Sequence, residues 1–198
     1  MLAWTLQAFE RTSGVSGTVL VVHPGDLLRA RDLVRRYRCR KVVSIVPGGA
    51  SRMESVAHGL KAVPDRAGWV AVHDSARPLI TPAQIQAVLR AGRLARAAIL
   101  AVPVVPTIKQ GKNGWVVRTL DRRPLWAVQT PQVFERRLLE RAHRRGRTNG
   151  QRATDDAALV EQLGVKVRIV PGSEGNIKVT TPEDRIIAEA LLENRNRV

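Results

Sequence analysis

The sequence predicts an α/β protein with a mostly parallel sheet, helices on both faces and a protruding β-hairpin arm. Short apolar runs alternate with longer segments of helical periodicity along most of the chain. The apolar runs are continuous rather than alternating, which is typical of parallel strands covered on both faces. This rhythm breaks at about 104–124, where two short β-type runs flank a glycine-containing turn and predict the arm.

Each element has a local sequence signal. Helices are expected where apolar residues recur at helical spacing, at 2–11, from 27 to about 37, and at 52–62, 82–95, 135–145, 154–163 and 182–193. Strands are expected at the apolar runs 18–23, 41–46, 69–72, 97–105 and 165–170, with the arm strands at 107–110 and 115–120 and a short segment at 126–129. Thr81 and Pro82 are typical of a helix start, and Gly48 and Gly49 predict a loop before the third helix.

Composition limits the protein class. A chain of 198 residues with 44% hydrophobic residues suits one domain with its own core. No apolar run approaches the roughly 20 residues of a membrane span, and residues 1–5 lack the basic and apolar regions of a signal peptide. Cys39 is the only cysteine, which excludes an internal disulfide and fits a reducing cytoplasm.

The formal net charge of +16 raises the question of a nucleic-acid partner. Most of the charge lies in two clusters, 29–41 and 135–145, where basic residues interleave with apolar ones at helical spacing. Such clusters are typical of the solvated faces of amphipathic helices. Because only 4% of the residues are aromatic, few rings could stack on bases. Nucleic acid is therefore not the favoured partner, although the charge would attract phosphorylated substrates.

The most informative loop runs from Val72 to Pro78, directly after a predicted strand. It places an acid, a hydroxyl and a guanidinium group, those of Asp74, Ser75 and Arg77, in one turn at the carboxyl end of that strand. In open α/β sheets this edge is where ligands bind. The alternative is that Asp74 and Arg77 only form an ion pair across the turn, which is common and weak in loops.

Further motifs follow in a fixed order. They are Gly48-Gly49-x-x-Arg52-x-x-Ser55, the loop 72–78, Trp126-x-x-Gln129-Thr130-Pro131-Gln132, Ala153-Thr154-Asp155-Asp156-Ala157, and Asn176-Ile177-Lys178 with Pro182-Glu183-Asp184. Together they resemble the 2-C-methyl-D-erythritol 4-phosphate cytidylyltransferases of the non-mevalonate isoprenoid pathway, over residues 1 to about 192. The resemblance implies one nucleotidyltransferase domain over 1–198, with a Rossmann-like fold and an arm that is exchanged across a homodimer.

The resemblance also implies the chemistry. Members of the family join a sugar-alcohol phosphate to CTP and release pyrophosphate, with magnesium bound mainly through the CTP phosphates. The four histidines lack metal-ligand spacing and no Ser–His–acid pattern is present, so no protein metal site and no triad is expected.

Site residues follow from the matched motifs. On the nucleotide side the resemblance implies Gly48, Gly49, Arg52 and Ser55. Near the ribose and the alcohol it implies Asp74, Ser75, Arg77, Thr130 and Thr154. The implied catalytic residues are Lys178 and Arg122, and Arg122 and the neighbouring Thr107 would reach from the arm into the partner subunit's site. Three simpler interpretations stay open: a plain glycine turn at 48–49, a helix cap at Thr154, and a solvated Lys178.

Two parts of the family pattern have no match. Pro106 stands where the family has an Asp before the threonine that matches Thr107, which removes a polar group at the base of the arm. The family also opens with a strand and a loop of the form G-x-G-x-R-M, whereas residues 2–9 match the helix that follows that loop. The resemblance therefore predicts a chain shortened at its start, with poor CTP binding and slow turnover. The alternatives are a misassigned start, a sister enzyme using ribitol 5-phosphate, or an inactive remnant or basic nucleic-acid-binding module.

Overall fold

The computed structural model describes residues 1–148 and 153–196. The helices are α1 (Leu2–Arg11), α2 (Leu27–Arg36), α3 (Arg52–Lys61), α4 (Pro82–Ala95), α5 (Arg136–Thr148), α6 (Asp156–Glu161) and α7 (Pro182–Asn196). The strands are β1 (Thr18–Val22), β2 (Val42–Pro47), β3 (Trp69–Val72), β4 (Ala97–Pro103), β5 (Lys109–Lys112), β6 (Trp115–Thr119), β7 (Trp126–Glu135) and β8 (Arg168–Pro171). In this part of the chain no helix is both long and apolar enough to cross a membrane.

The strands form two main sheets and a hairpin. β1 and β2 pair in parallel, and a second sheet has the order β3-β7-β4-β8. β4 and β8 are parallel, whereas β7 runs antiparallel to both β3 and β4. β3, β4 and β8 therefore point the same way, and their carboxyl ends lie at one edge of the sheet.

β7 is longer than the sequence pattern indicates. The pattern marks only 126–129, but the strand continues to Glu135 and pairs with strands on both sides. Pro131 hides this continuation, because proline is unusual inside a central strand. Val133 and Phe134 are fully buried in the middle of the sheet.

Helices cover both faces of the four-stranded sheet, as predicted. Ala97 and Ile99 of β4 pack with Phe134 against α5 and α6. Ala98 and Leu100 pack against α1 and α4 on the opposite face. Because successive residues of a strand point to opposite faces, the continuous apolar run in β4 serves two cores.

The predicted arm is an antiparallel hairpin of β5 and β6. All residues of both strands are exposed. The turn places Asn113 and Gly114 at positive φ, 52° and 82°, which Asn-Gly turns adopt readily and which matches the twist of a two-residue hairpin. The hairpin packs against little of the chain that is described.

Candidate active site

The loop that follows β3 places Asp74 between two cations. Its carboxylate lies 2.9 Å from Lys178 Nζ and 3.6 Å from Arg52 Nε. Arg52 is the first residue of α3, and Lys178 lies in the segment before α7. Three chain segments that are distant in sequence thus meet beside the carboxyl end of β3. We call Arg52, Asp74 and Lys178 the Asp74 cluster.

The cluster keeps Asp74 ionised. Burial of the carboxyl group raises its pKa, but the hydrogen bond and charge of Lys178 and the charge of Arg52 outweigh this effect, so the pKa of Asp74 lies below its ordinary value. At neutral pH the group is therefore an anionic acceptor, and it can receive hydrogen bonds from hydroxyl groups.

Thr130 and His73 fix the backbone beside the cluster. The Asp74 amide donates to Thr130 Oγ1 at 3.0 Å, and Thr130 Oγ1 lies 3.0 Å from His73 Nδ1. His73 Nε2 is 3.2 Å from the Arg77 carbonyl oxygen. Burial lowers the pKa of His73 from 6.5 to about 4. The neutral ring then accepts from Thr130 at Nδ1 and donates from Nε2 to Arg77.

Arg77 does not pair with Asp74, so the ion-pair interpretation of this loop is wrong. Its guanidinium group donates to the carbonyl oxygens of Asn176 at 2.7 Å and Val128 at 3.4 Å. Asn176 is fully buried and donates to Thr130 O at 3.1 Å. These bonds hold the segment that carries Lys178 against β7, which fixes Lys178 near Asp74.

The glycine loop 48–49 wraps closely around the start of α3. Gly49 N donates to Ser55 Oγ at 3.1 Å, and Ser51 caps the helix by accepting from Glu54 N at 3.1 Å. A Cβ atom on Gly49 would lie 2.4 Å from Glu54 Cβ, so only glycine fits. This tight turn positions Arg52, and it leaves the Ser55 hydroxyl group bonded within the loop.

Sequence reasoning missed one direct partner of Arg52 and the histidine that is bonded to that partner. Its Nη1 lies 2.8 Å from Asp156 Oδ2, and Asp156 Oδ1 lies 2.8 Å from His143 Nε2. Asp156 belongs to a matched motif, but the motif alone does not indicate its role. His143 has neither metal-ligand nor triad spacing in the sequence, and only the fold brings α5 beside the start of α6.

The other predicted site residues lie at the surface, outside the Asp74 cluster. Ser75, Thr107, Arg122 and Thr154 are all exposed. Arg122 donates to the Val105 carbonyl oxygen at the base of the arm. The cap of α6 is Asp155, which accepts from Ala158 N at 2.9 Å, so the interpretation of Thr154 as the cap is wrong.

Comparison with known proteins identifies the family. The family model IspD, 2-C-methyl-D-erythritol 4-phosphate cytidylyltransferase, matches residues 1–194. The chain belongs to this family. A relative of that name from Pelotomaculum thermopropionicum is 50% identical over 192 residues, which are 96% of this chain and 81% of the relative. One from Desulforamulus reducens is 46% identical over 198 residues, covering 99% of this chain and 85% of the relative.

Solved structures of the IspD family share the fold. The 4-diphosphocytidyl-2C-methyl-D-erythritol synthase of Anaerococcus prevotii superimposes with a TM-score of 0.89 at 30% identity, covering 97% of this chain and 85% of the other. The 2-C-methyl-D-erythritol 4-phosphate cytidylyltransferase of Thermus thermophilus gives 0.84 at 34% identity, covering 97% and 88%. This confirms the Rossmann-like nucleotidyltransferase fold that the resemblance predicts for this chain.

Proposed function

We propose that this protein transfers the cytidylyl group of CTP to 2-C-methyl-D-erythritol 4-phosphate, giving the CDP-alcohol and pyrophosphate. The observation that carries the proposal is the Asp74 cluster at the carboxyl end of β3, in a chain of the IspD family. The reaction brings two phosphate-bearing molecules together. Such a reaction needs cations that offset the negative charge and an acceptor that orients hydroxyl groups.

The nucleotide side of the site is formed by the start of α3. Gly48 and Gly49 leave the backbone bare for the cytosine ring, with Arg52 and Ser55 beside it. Arg52 supplies a charge that is positive throughout the physiological pH range. The ionised Asp74 accepts hydrogen bonds from the ribose or from the alcohol.

The acceptor side is formed by the remaining predicted residues. Lys178 holds the phosphate of the sugar alcohol for attack, and the catalytic Arg122 reaches that phosphate from a second subunit. Four residues supply further polar contacts around the alcohol, namely Ser75, Arg77, Thr130 and Thr154. Thr107, beside Arg122 on the arm, contacts the same phosphate across the dimer.

Magnesium would bind at this site together with the nucleotide. The described residues contain no group of three or more metal-binding side chains. Magnesium is commonly held by substrate phosphates with few protein ligands. By the family resemblance we assign it mainly to the CTP triphosphate, where it would neutralise charge.

The arm supports a homodimer. Trp115, Val116 and Val117 of β6 are 80%, 64% and 57% exposed. A contiguous apolar strand of this kind is typical of an interaction surface. A second copy of the chain, whose arm would reach the acceptor site, is the occupant we propose. Residues 1–198 act as one nucleotidyltransferase domain. The enzyme is cytoplasmic, which fits its use of CTP and its free cysteine, Cys39.

The test is pyrophosphate release from CTP with 2-C-methyl-D-erythritol 4-phosphate or ribitol 5-phosphate. We expect slow turnover with the first acceptor, and a further fall of about 100-fold in kcat/KM for Asp74→Asn because the anionic acceptor is lost. Asp65→Asn, which removes a fully exposed carboxylate from a remote loop, should change little.

Turnover with ribitol 5-phosphate alone would contradict the proposed acceptor. Full activity of Asp74→Asn would contradict the proposed site. Binding of DNA or RNA at physiological salt without any CTP binding would favour a nucleic-acid-binding module instead.

A further inference from the structure

Behind the Asp74 cluster lies a buried acid–histidine pair that the proposed roles do not use. Asp156 and His143 are 1% and 3% exposed, and the Asp156 carboxylate lies 2.8 Å from His143 Nε2. The second oxygen of Asp156 lies 2.8 Å from Arg52 Nη1. A buried carboxylate is costly unless it is paired, so the Arg52 guanidinium group is its charge partner.

Among the described residues His143 Nδ1 is buried without a hydrogen-bond partner, so the only side-chain bond of the ring is to Asp156. An ionised carboxylate only accepts, and Nε2 must therefore carry the hydrogen. The ring acts on Asp156, whose orientation it fixes.

Asp156 is also held on a rigid support. It is the first residue of α6, and Gln132 of β7 bonds that helix start twice, donating to Asp155 Oδ2 at 2.7 Å and accepting from Ala157 N at 3.2 Å. Side chains fixed by packing and by such bonds can position a neighbour with precision. Arg52, in contrast, is a long side chain with 37% of its surface exposed.

We propose that Asp156 and His143 are positioning residues that hold Arg52 in its place beside Asp74 and thereby set the affinity for CTP. Neither touches substrate. The proposal rests on the proposed function. Without the Asp156 charge, Arg52 keeps its longer contact with Asp74, at 3.6 Å, and turns toward that carboxylate. Arg52 then competes with Lys178 for the Asp74 carboxylate and no longer contacts the nucleotide.

The first test compares charged and uncharged variants in steady-state kinetics. Asp156→Asn should raise the KM for CTP about tenfold with a smaller effect on kcat, because Arg52 is displaced rather than removed. Asp156→Glu, which keeps the charge, should restore much of the affinity. His143→Leu should weaken CTP binding, whereas His143→Gln, which keeps a donor, should not.

The control is Glu140→Gln on the same helix. Glu140 pairs with Arg136 at 2.8 Å and has no link to Arg52, so its loss should leave the KM for CTP unchanged. In a double-mutant cycle, Asp156→Asn should add no further loss of CTP affinity once Arg52→Gln is present. Additive effects, or lower stability with an unchanged KM, would overturn the proposal.

A second measurement needs no substrate and separates this proposal from the proposed function. Urea unfolding of the same Arg52 and Asp156 variants should show that their effects on stability are coupled, and ¹⁵N NMR should show the His143 proton on Nε2. If the wild-type protein does not turn over CTP, the proposed function fails while this linkage is still measured. Uncoupled stabilities, or a ring with its proton on Nδ1 and none on Nε2, would overturn the linkage itself.

Discussion

At the scale of single residues, one loop holds two adjacent ionisable groups in opposite states. Lys178 and Arg52 keep Asp74 charged despite its burial, whereas burial keeps the ring of His73 neutral. The stability that Asp74 contributes is present above its ordinary pKa and is lost as the pH falls through its lowered folded-state pKa. The contribution of His73 to stability changes over a different pH range, because the pKa of His73 falls from 6.5 to about 4 on folding.

His73 is therefore expected to make the protein sensitive to mild acid. Between pH 6.5 and 4 the unfolded chain binds the proton and the folded chain does not, so stability falls as the pH falls. From pH 7 to pH 5 the loss should be about 2 kcal/mol. Urea unfolding of wild type and His73→Gln at both pH values measures it. An equal acid loss in both proteins would contradict the assignment to His73.

At the scale of elements, chain segments with weak sequence signals decide the site. The sequence pattern indicates only the first four residues of β7. The rest of the strand carries Thr130, which bonds the loop after β3, and Gln132, which bonds the start of α6. α6 is shorter than its apolar pattern predicts and begins at Asp156 rather than at 154, because Asp155 caps it.

The cap of α6 gives a test with neighbouring residues as a matched pair. Asp155→Ala should cost about 1–2 kcal/mol of unfolding free energy, because both the Ala158 amide and the Gln132 side chain lose an acceptor. Thr154→Ala should cost much less, since the exposed Thr154 side chain has no hydrogen bond within the described residues. Urea unfolding at pH 7 compares them. An equal or larger loss for Thr154→Ala would contradict the assignment of the cap.

At the scale of the whole molecule, the arm is the element that packs least against the rest of its own chain. Its strands are exposed throughout, and Arg122 at its base makes no contact with the Asp74 cluster of the same chain. The proposed dimer accounts for both facts, because a second subunit would cover Trp115 and receive Arg122 in its acceptor site.

Subunit mixing tests whether Arg122 and Lys178 act across the dimer. Arg122→Gln and Lys178→Gln should each be nearly inactive. Dimers re-formed from equal amounts should recover about a quarter of wild-type activity, because half of them are mixed and each mixed dimer has one intact site. Pyrophosphate release measures the recovery. No recovery in mixtures shown to exchange subunits would place both residues in one chain's site.

The sequence by itself determined the α/β class, the order of the elements, the arm and the motif residues of the site. These follow from local periodicity, from turn residues such as Asn113 and Gly114, and from short motifs that occur in the family's order along the chain. Only the tertiary structure decided which charges meet. Asp74 pairs with Lys178 and Arg52 rather than with Arg77, and His143 reaches Asp156. The physical reason is that ion pairs and buried hydrogen bonds depend on distances of about 3 Å, which packing sets between elements far apart in sequence.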